Sequence, residues 1–297
     1  MPEFDTKPFQ AAQSSVYYYV YTNALTERKV NGLNILYCGD ANVCEGIFLS
    51  ALSLRRQTTR ALHVFILTAS IGTHKAIPPV FTDRLEAALW ERCADSRVTL
   101  LDISAQFAQY LPLANLGTRF TPLCMLRLFA DEVPEIPARA LYLDADVLCR
   151  APLDALYDMP MDSFEMAGVP DRYGKWFFGN RLRHDYLNSG VLLLNMARIR
   201  ESGLFAACRT MCRDKKMFMP DQSALNKLAV KAKLPRKYNE QGRIRKDTVL
   251  KHFTTYFKFF PYFRAVTVKP WDPERLHSVL GVTEFDDLIN EYTEKYK

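Results

Sequence analysis

The chain lacks the marks of a membrane-spanning, exported or cross-linked protein. No apolar run approaches the ~20 residues that a helix needs to cross a bilayer. The opening Met1-Pro2-Glu3-Phe4-Asp5-Thr6-Lys7-Pro8 is too polar for a signal peptide. Seven cysteines, at 38, 44, 93, 124, 149, 208 and 212, are odd in number and include no Cys-x-x-Cys pair. Cys208 and Cys212 are one helical turn apart, but no histidine or second cysteine pair lies near enough in sequence to suggest zinc. The expectation is a set of reduced thiols in a cytoplasmic protein. There is also no Gly/Ser linker, internal repeat or low-complexity tract, which favours one domain over several.

What is present is an ordinary globular mixture of 48% hydrophobic and 24% charged residues in a chain of 297. A core of that size needs no disulfide or structural metal to hold it. The net charge of +6 favours an anionic partner such as a nucleic acid, a diphosphate or an anionic membrane, although it equally serves solubility. Basic residues crowd 227–251, but that stretch carries no recognisable nucleic-acid-binding motif, so nucleic acid is not an expected partner.

The apolar pattern alternates between two periods. Residues 1–30 read as a peripheral N-terminal extension in which Tyr17–Tyr21 could form a short strand. Strands are predicted at 34–38, 63–67, 97–101, 141–143, 166–169 and 191–194, with helices over 43–57, 78–93 and 121–132 between them. This alternation predicts an α/β fold with a mostly parallel sheet flanked by helices. In such sheets ligands collect at the carboxyl ends of the strands, and Asp40, Asp144, Asp146 and Asp171 each fall just after a predicted strand.

Asp144 and Asp146 are the strongest of these. Two carboxylates at i and i+2 after a buried strand suit one hard divalent ion, which can bridge a diphosphate and neutralise a departing nucleotide. The pattern alone says little, because a chain of this length holds about one Asp-x-Asp by chance. Its context is the signal: the apolar run before it and Val147-Leu148 after it would make unpaired carboxylates costly.

Several further segments occur in an order that resembles glycosyltransferase family 8, a retaining family that includes lipopolysaccharide galactosyl- and glucosyltransferases and glycogenin. They are Asn34–Asn42, Leu126-Arg127-Leu128, Leu141–Leu148, Leu187–Asn195 (LNSGVLLLN), Asp221–Asn226 (DQSALN), Lys237-Tyr238-Asn239, His252-Phe253 and Lys269-Pro270-Trp271. The resemblance covers roughly 34–271 and implies a Rossmann-like fold of GT-A type, with a catalytic domain at 31–272 and a C-terminal helical tail at 273–297. It implies a hexosyltransferase that uses a UDP-sugar donor and a glycan, glycolipid or glycoprotein acceptor.

The resemblance also implies roles. Asp144, Asp146 and His252 would hold Mn²⁺, with Mg²⁺ the alternative; two carboxylates and an imidazole suit Mn²⁺ better. A lone histidine is more often structural. Lys269 would reach the diphosphate, and Asp40, Asn42, Arg127, Ala145 and Asn188 would line the nucleotide sugar. Asp171, Asp221 and Gln222 would surround the reacting sugar. Each has a plainer role open to it: Asp40 as a helix cap, Arg127 holding its helix through a structural carboxylate, Asn188 as a turn residue, Asp221 as an N-cap, and Lys269 as a surface lysine. Ala41 stands where the family often has a second acidic residue. Gln222, at the position for a nucleophile, is a poor one, which favours front-face attack over double displacement.

The chain departs from the family in the spacing between His252 and Lys269. An aromatic and basic insertion there must loop out and return. It suits a lid over the sugars, a peripheral contact with the inner face of a membrane through 253–264 and the basic C-terminal region, or a satellite core under the C-terminal helix. Gly117–Leu123 is similar to the phosphate loop of sugar-1-phosphate nucleotidyltransferases, but stands too far along the chain. That activity and a non-catalytic nucleotide-sugar binder are the competing functions.

Overall fold

A computed structural model describes residues 19–21, 32–116, 122–174, 185–258, 262 and 264–297. The central sheet contains β1 (Tyr19–Tyr21), β2 (Leu33–Gly39), β3 (Leu62–Thr68), β4 (Arg97–Asp102), β5 (Arg139–Leu143), β7 (Met166–Pro170), β8 (Leu187–Asn195) and β9 (Lys231–Lys233) in the order β1-β4-β3-β2-β5-β8-β7-β9. Strands β2 to β5 pair in parallel, as do β7 and β9; β8 runs antiparallel to both of its neighbours, and β1 to β4. The mostly parallel sheet expected from the alternating pattern is therefore present, with β8 reversed in its middle.

Both faces of the sheet are covered, which is why its central strands read as continuous apolar runs. One face packs Ile35, Tyr37, Val64, Leu141 and Leu143 against the helix Cys44–Gln57. The other packs Leu36, Leu67, Tyr142 and Leu192 against Leu126, Phe129 and the helix Leu204–Asp214. The expected helix over 121–132 is wound as a 3-10 helix over Pro122–Glu132, and Leu123 and Met125 to Ala130 are all buried. All seven cysteines are free. Among the described residues, no helix is long and apolar enough to cross a membrane.

Strand order reverses between β2 and β5. The chain leaves β2 toward β3 on one side, and later β5 adds on the other. This opens a crevice at the carboxyl ends of β2 and β5, the place where α/β sheets bind ligands. The two-stranded unit β6 (Val147–Cys149) and β10 (Leu250–His252) sits beyond it, with His252 opposite Val147.

The insertion after His252 is a hairpin of β11 (Tyr256–Lys258) and β12 (Arg264–Val266). The hydroxyls of Thr255 and Thr267 meet at 2.7 Å across its neck. Phe253 turns inward against Phe285, and Tyr262 is 81% exposed. Residues 259–261 and 263 of the expected membrane contact lie outside the described residues, as do 117–121 of the nucleotidyltransferase-like loop and Tyr17–Tyr18.

The C-terminal tail is part of the main core. Leu276, Phe285, Leu288, Ile289 and Tyr292 join the cluster under the helix Cys44–Gln57, and Tyr292 and Tyr296 stack on Phe48, each at 5.2 Å. Glu291, on the helix Asp286–Lys295, binds both Arg55 and Arg56. Arg55 is buried, and while its Nη1 also meets Glu91, the Ala88 carbonyl and the Tyr296 hydroxyl, Glu291 is the acid that pairs with its Nη2. Glu291→Gln should lower unfolding stability by about 1–3 kcal/mol, read from urea melts monitored by circular dichroism.

Candidate active site

The site is assembled from strand ends. Asp40 follows β2, Asp144 follows β5, and Asp171 follows β7. Because β8 is antiparallel to β5, its first residues, Asn188, Ser189 and Gly190, lie at the same edge; the Asp144 amide donates to the Gly190 carbonyl at 2.8 Å. The helix Pro220–Leu228 points its first turn, with Asp221 and Gln222, at this edge.

Asp144, Asp146 and His252 converge, with one ligand atom from each lying within 4.8 Å of the others. His252 Nε2 is 3.2 Å from Asp146 Oδ1 and 3.7 Å from Asp144 Oδ2. Two oxygens and an imidazole nitrogen are a fitting donor set for Mn²⁺. There is no room at Gly190 for a side chain, since a Cβ would collide with the His252 ring and lie 2.7 Å from Asp144 Oδ2.

Each carboxylate is balanced by a specific cation. Burial opposes ionisation of Asp146, yet Lys269 and His252 outweigh it and hold its carboxyl well below the usual range. Lys269 Nζ donates to Asp146 Oδ2. Arg127 is buried between two acids: Nη2 donates to Asp144 Oδ1 at 3.0 Å, and Nε is 3.3 Å from Asp221 Oδ2. Its guanidinium lies 4.1 Å from the centre of the Tyr142 ring, and the Tyr142 hydroxyl donates to Asp144 Oδ1 at 2.7 Å. The plainer role for Arg127, a carboxylate partner, is thus fulfilled, and the carboxylates belong to the site.

Asp40 does cap the turn Ala41–Val43, accepting from the Asn42 amide, and it also meets Asn42 Nδ2 at 2.7 Å and His74 Nδ1 at 2.5 Å. Asn188 is not a turn residue before the strand; it lies inside β8 and is buried. Asp221 is not an N-cap; Met219 holds that position, and Asp221 faces Arg127. Ala145 is nearly buried in the turn between the aspartates.

Asp171, Asn188, Gln222 and Asn239 form a chain of hydrogen bonds whose polarity is determined. Asp171 can only accept, so it fixes the NH₂ ends of Asn188 (3.0 Å) and Gln222 (3.2 Å) toward itself. Asn188 Oδ1 then accepts from Asn239 Nδ2 at 2.9 Å, which turns Asn239 Oδ1 to His252 Nδ1 at 3.1 Å. His252 Nδ1 therefore donates to Asn239, and Nε2, on the side of the two aspartates, is the nitrogen left to ligate an ion. The same logic fixes Gln222: Oε1 accepts from the Ser189 amide at 2.9 Å.

Four residues at this edge are given no role by the sequence pattern: Asn239, Tyr142, Ser189 and His74. Asn239 stands inside the Lys237-Tyr238-Asn239 motif, and Tyr142 precedes the aspartates on the same strand, so both carry a signal of position without one of role. Nothing in the sequence points to His74.

The fold is of GT-A type. The family model for glycosyl transferase family 8 matches residues 34–274, and the chain belongs to that family. It is 27% identical over 256 residues, 80% of this chain and 72% of the relative, to lipopolysaccharide 1,2-glucosyltransferase of Escherichia coli K12. Among solved structures it is similar to an active-site mutant of LgtC, with a TM-score of 0.67, 18% identity, and coverage of 87% of this chain and 95% of that one. The galactosyltransferase LgtC in complex with donor and acceptor sugar analogues gives a TM-score of 0.65 with the same identity and coverage.

Two outcomes follow from the geometry. Asn239→Leu removes the acceptor for His252 Nδ1–H and should weaken Mn²⁺ binding by about 10–100-fold, measured by calorimetry on the folded variant. Lys251 is buried, its ammonium donating to the carbonyls of Glu240, Gly242 and His252; burial lowers its pKa to about 8. A lysine depressed in the folded state penalises folding while charged, and the penalty fades as pH rises from about 8 toward the unfolded value. The stability of the wild type relative to Lys251→Met should therefore rise by up to about 1.4 kcal/mol per pH unit in that window, read from paired urea melts.

Proposed function

We propose that the protein is a retaining hexosyltransferase that moves glucose or galactose from a UDP-sugar to a glycan, glycolipid or glycoprotein acceptor. The observation that carries this reading is the convergence of Asp144, Asp146 and His252 within 4.8 Å, beside Lys269 and at the strand-order switch. A divalent ion, Mn²⁺ in preference to Mg²⁺, would be held by those three side chains and would offset the charge developing on the departing diphosphate. The kinship to a lipopolysaccharide glucosyltransferase supports a cell-surface glycan or glycolipid as the acceptor. Residues 31–272 form the catalytic unit in this reading, with 273–297 completing its core.

The chain's own groups divide the work. Asp40 and Asn42 meet the uridine, Lys269 pairs with the diphosphate, and Ala145 offers backbone beside it. Asp171 and Asn188 hold the hexose hydroxyls and so bear on donor choice. Asp171 accepts from Asn188, Gln222 and the Tyr173 amide, and Asp221 is paired with Arg127. Carboxylates so engaged are weak nucleophiles, and Gln222 is weaker still. We therefore favour front-face substitution. The acceptor oxygen bonds to the anomeric carbon on the face from which the diphosphate departs, its proton passes to a diphosphate oxygen, and the Gln222 amide oxygen stabilises the cationic sugar. Trapping of a covalent sugar on Asp171 or Asp221 would overturn that sequence of events.

The hairpin at 256–266 supplies an exposed Tyr262 beside basic residues, which supports a peripheral membrane contact. The reading as a transferase is tested without an acceptor. Purified protein with Mn²⁺ and a panel of UDP-sugars should release UDP from one hexose donor. Asp146→Asn and chelation should each reduce the rate by about 100-fold or more. Release that is unaffected by both, or absent with every donor, sinks the proposal.

A further inference from the structure

A cavity of about 830 Å³ opens next to the donor-sugar residues, lined in part by Pro170, Arg172, Arg236, Asn239, Arg243 and Arg245. Asp171 lies between two of its lining residues. Asn239 belongs to both places, lining the cavity and bonding Asn188 and His252. The loop that shapes the cavity is tied to the site from its other side: the Arg172 amide donates to Gln241 Oε1 at 2.9 Å, and Gln241 Nε2 donates to the Pro170 carbonyl at 3.2 Å.

The charge of this cavity is one-sided. Four guanidinium groups line it against one carboxylate, Glu240. That carboxylate is buried and already committed: it binds Arg236, lies 3.8 Å from Arg245, and accepts from the Gly242 amide at 2.8 Å. Arg236 has a second acidic partner in Asp247 at 2.7 Å. Arg172 and Arg243 are exposed, and neither has an ion-pair partner among the described residues. Both also line the adjoining cavity that runs on to Lys251 and Tyr256. Like charges around a concavity focus positive potential, and the guanidinium fork matches phosphate and carboxylate oxygens. Asp144, Asp146 and Lys269 do not line the cavity, so it is separate from the place assigned to the donor diphosphate.

We propose that this cavity binds an anionic group, phosphate or carboxylate, carried by the acceptor glycan, and that Arg172 and Arg243 are its specificity-determining contacts. The inference rests on the transferase reading, because it takes the sugar next to Asp171 as the donor. It makes the acceptor a charged saccharide, and it requires that a phosphorylating or acidic-sugar-adding reaction act on the acceptor before this one.

The test is a calorimetric titration of the full chain with glucose 6-phosphate, glucose and inorganic phosphate, in chelator and without nucleotide. Glucose 6-phosphate should bind about tenfold or more tightly than glucose or inorganic phosphate, and the affinity should fall as salt is raised. Arg172→Gln with Arg243→Gln should lose that preference while keeping the wild-type melting temperature, since both side chains are exposed and make no ion pair among the described residues. Arg243→Gln alone serves if the pair does not fold. Equal binding of glucose and its phosphate overturns the proposal, as does an undiminished preference in the folded variant. Inorganic phosphate binding as tightly as the sugar phosphate overturns the acceptor assignment. UDP binding with Mn²⁺, measured on the wild type in parallel, reports on the donor reading separately: its absence sinks that reading whatever the sugar phosphate does.

Discussion

Asp146 is buried between an imidazole and an ammonium, and Asp144 lies between a guanidinium and a phenol. Taking a carboxylate such as that of Asp146 out of water at the end of an apolar strand costs several kcal/mol unless cations and donors surround it. Much of the local architecture answers that cost. Arg127 comes from the 3-10 segment below the sheet, His252 from β10 paired to β6, and Lys269 from beyond the hairpin. Arg127 serves two acids at once, so Asp221 is drawn to the same place. The crevice at the strand-order switch determines where the acids can lie, and charge compensation determines what must be packed around them.

The second constraint is direction. An amide has a donor end and an acceptor end, so a row of them transmits orientation from whichever terminus is unambiguous. Asp171, whose carboxylate oxygen accepts from the NH₂ ends of both Asn188 and Gln222, is that terminus. Asn188 and Asn239 carry its polarity to His252, where it selects the tautomer whose Nε2 can ligate. Asp171 and His252 are thereby parts of one hydrogen-bonded set. Asn239 thus positions His252, the side chain assigned to the metal in the proposed arrangement.

The parts of this arrangement that can be read from sequence share a property: they are carried by local pattern. The apolar runs place β2, β3, β4 and β5 to within one or two residues, and the order of short motifs ties Asp144, Asp146, His252 and Lys269 into one site. Features that depend on direction or distance cannot be read. Periodicity says nothing about which way a strand runs, so the reversal of β8 is invisible to it, and with it the reason Asn188 is a buried strand residue rather than a turn. Asn239 bonds partners 51 and 13 residues away. Tyr142 looks like one more apolar position because its ring is one. The C-terminal tail reads as an appendage, but its aromatic and aliphatic face closes the core over Phe48.

The insertion between His252 and Lys269 shows why length can vary there without loss of the site. His252 is positioned by pairing with Val147 across β10 and β6. Lys269 is positioned separately, through Trp271, whose ring lies so close to Gly46 that a Cβ there would collide with it and sit 2.7 Å from the Ala145 carbonyl. The indole therefore seats the Lys-Pro-Trp segment on the first turn of the helix Cys44–Gln57, which also abuts the Ala145 carbonyl of the turn that carries the two aspartates. Between these independent anchors, the Thr255–Thr267 contact closes the neck of the hairpin. The entropy of closing a loop grows only slowly with its length, so residues added beyond the neck cost little and leave the ends in place. The bonds that place His252 and Lys269 lie outside the hairpin, so neither side chain depends on what lies beyond the neck.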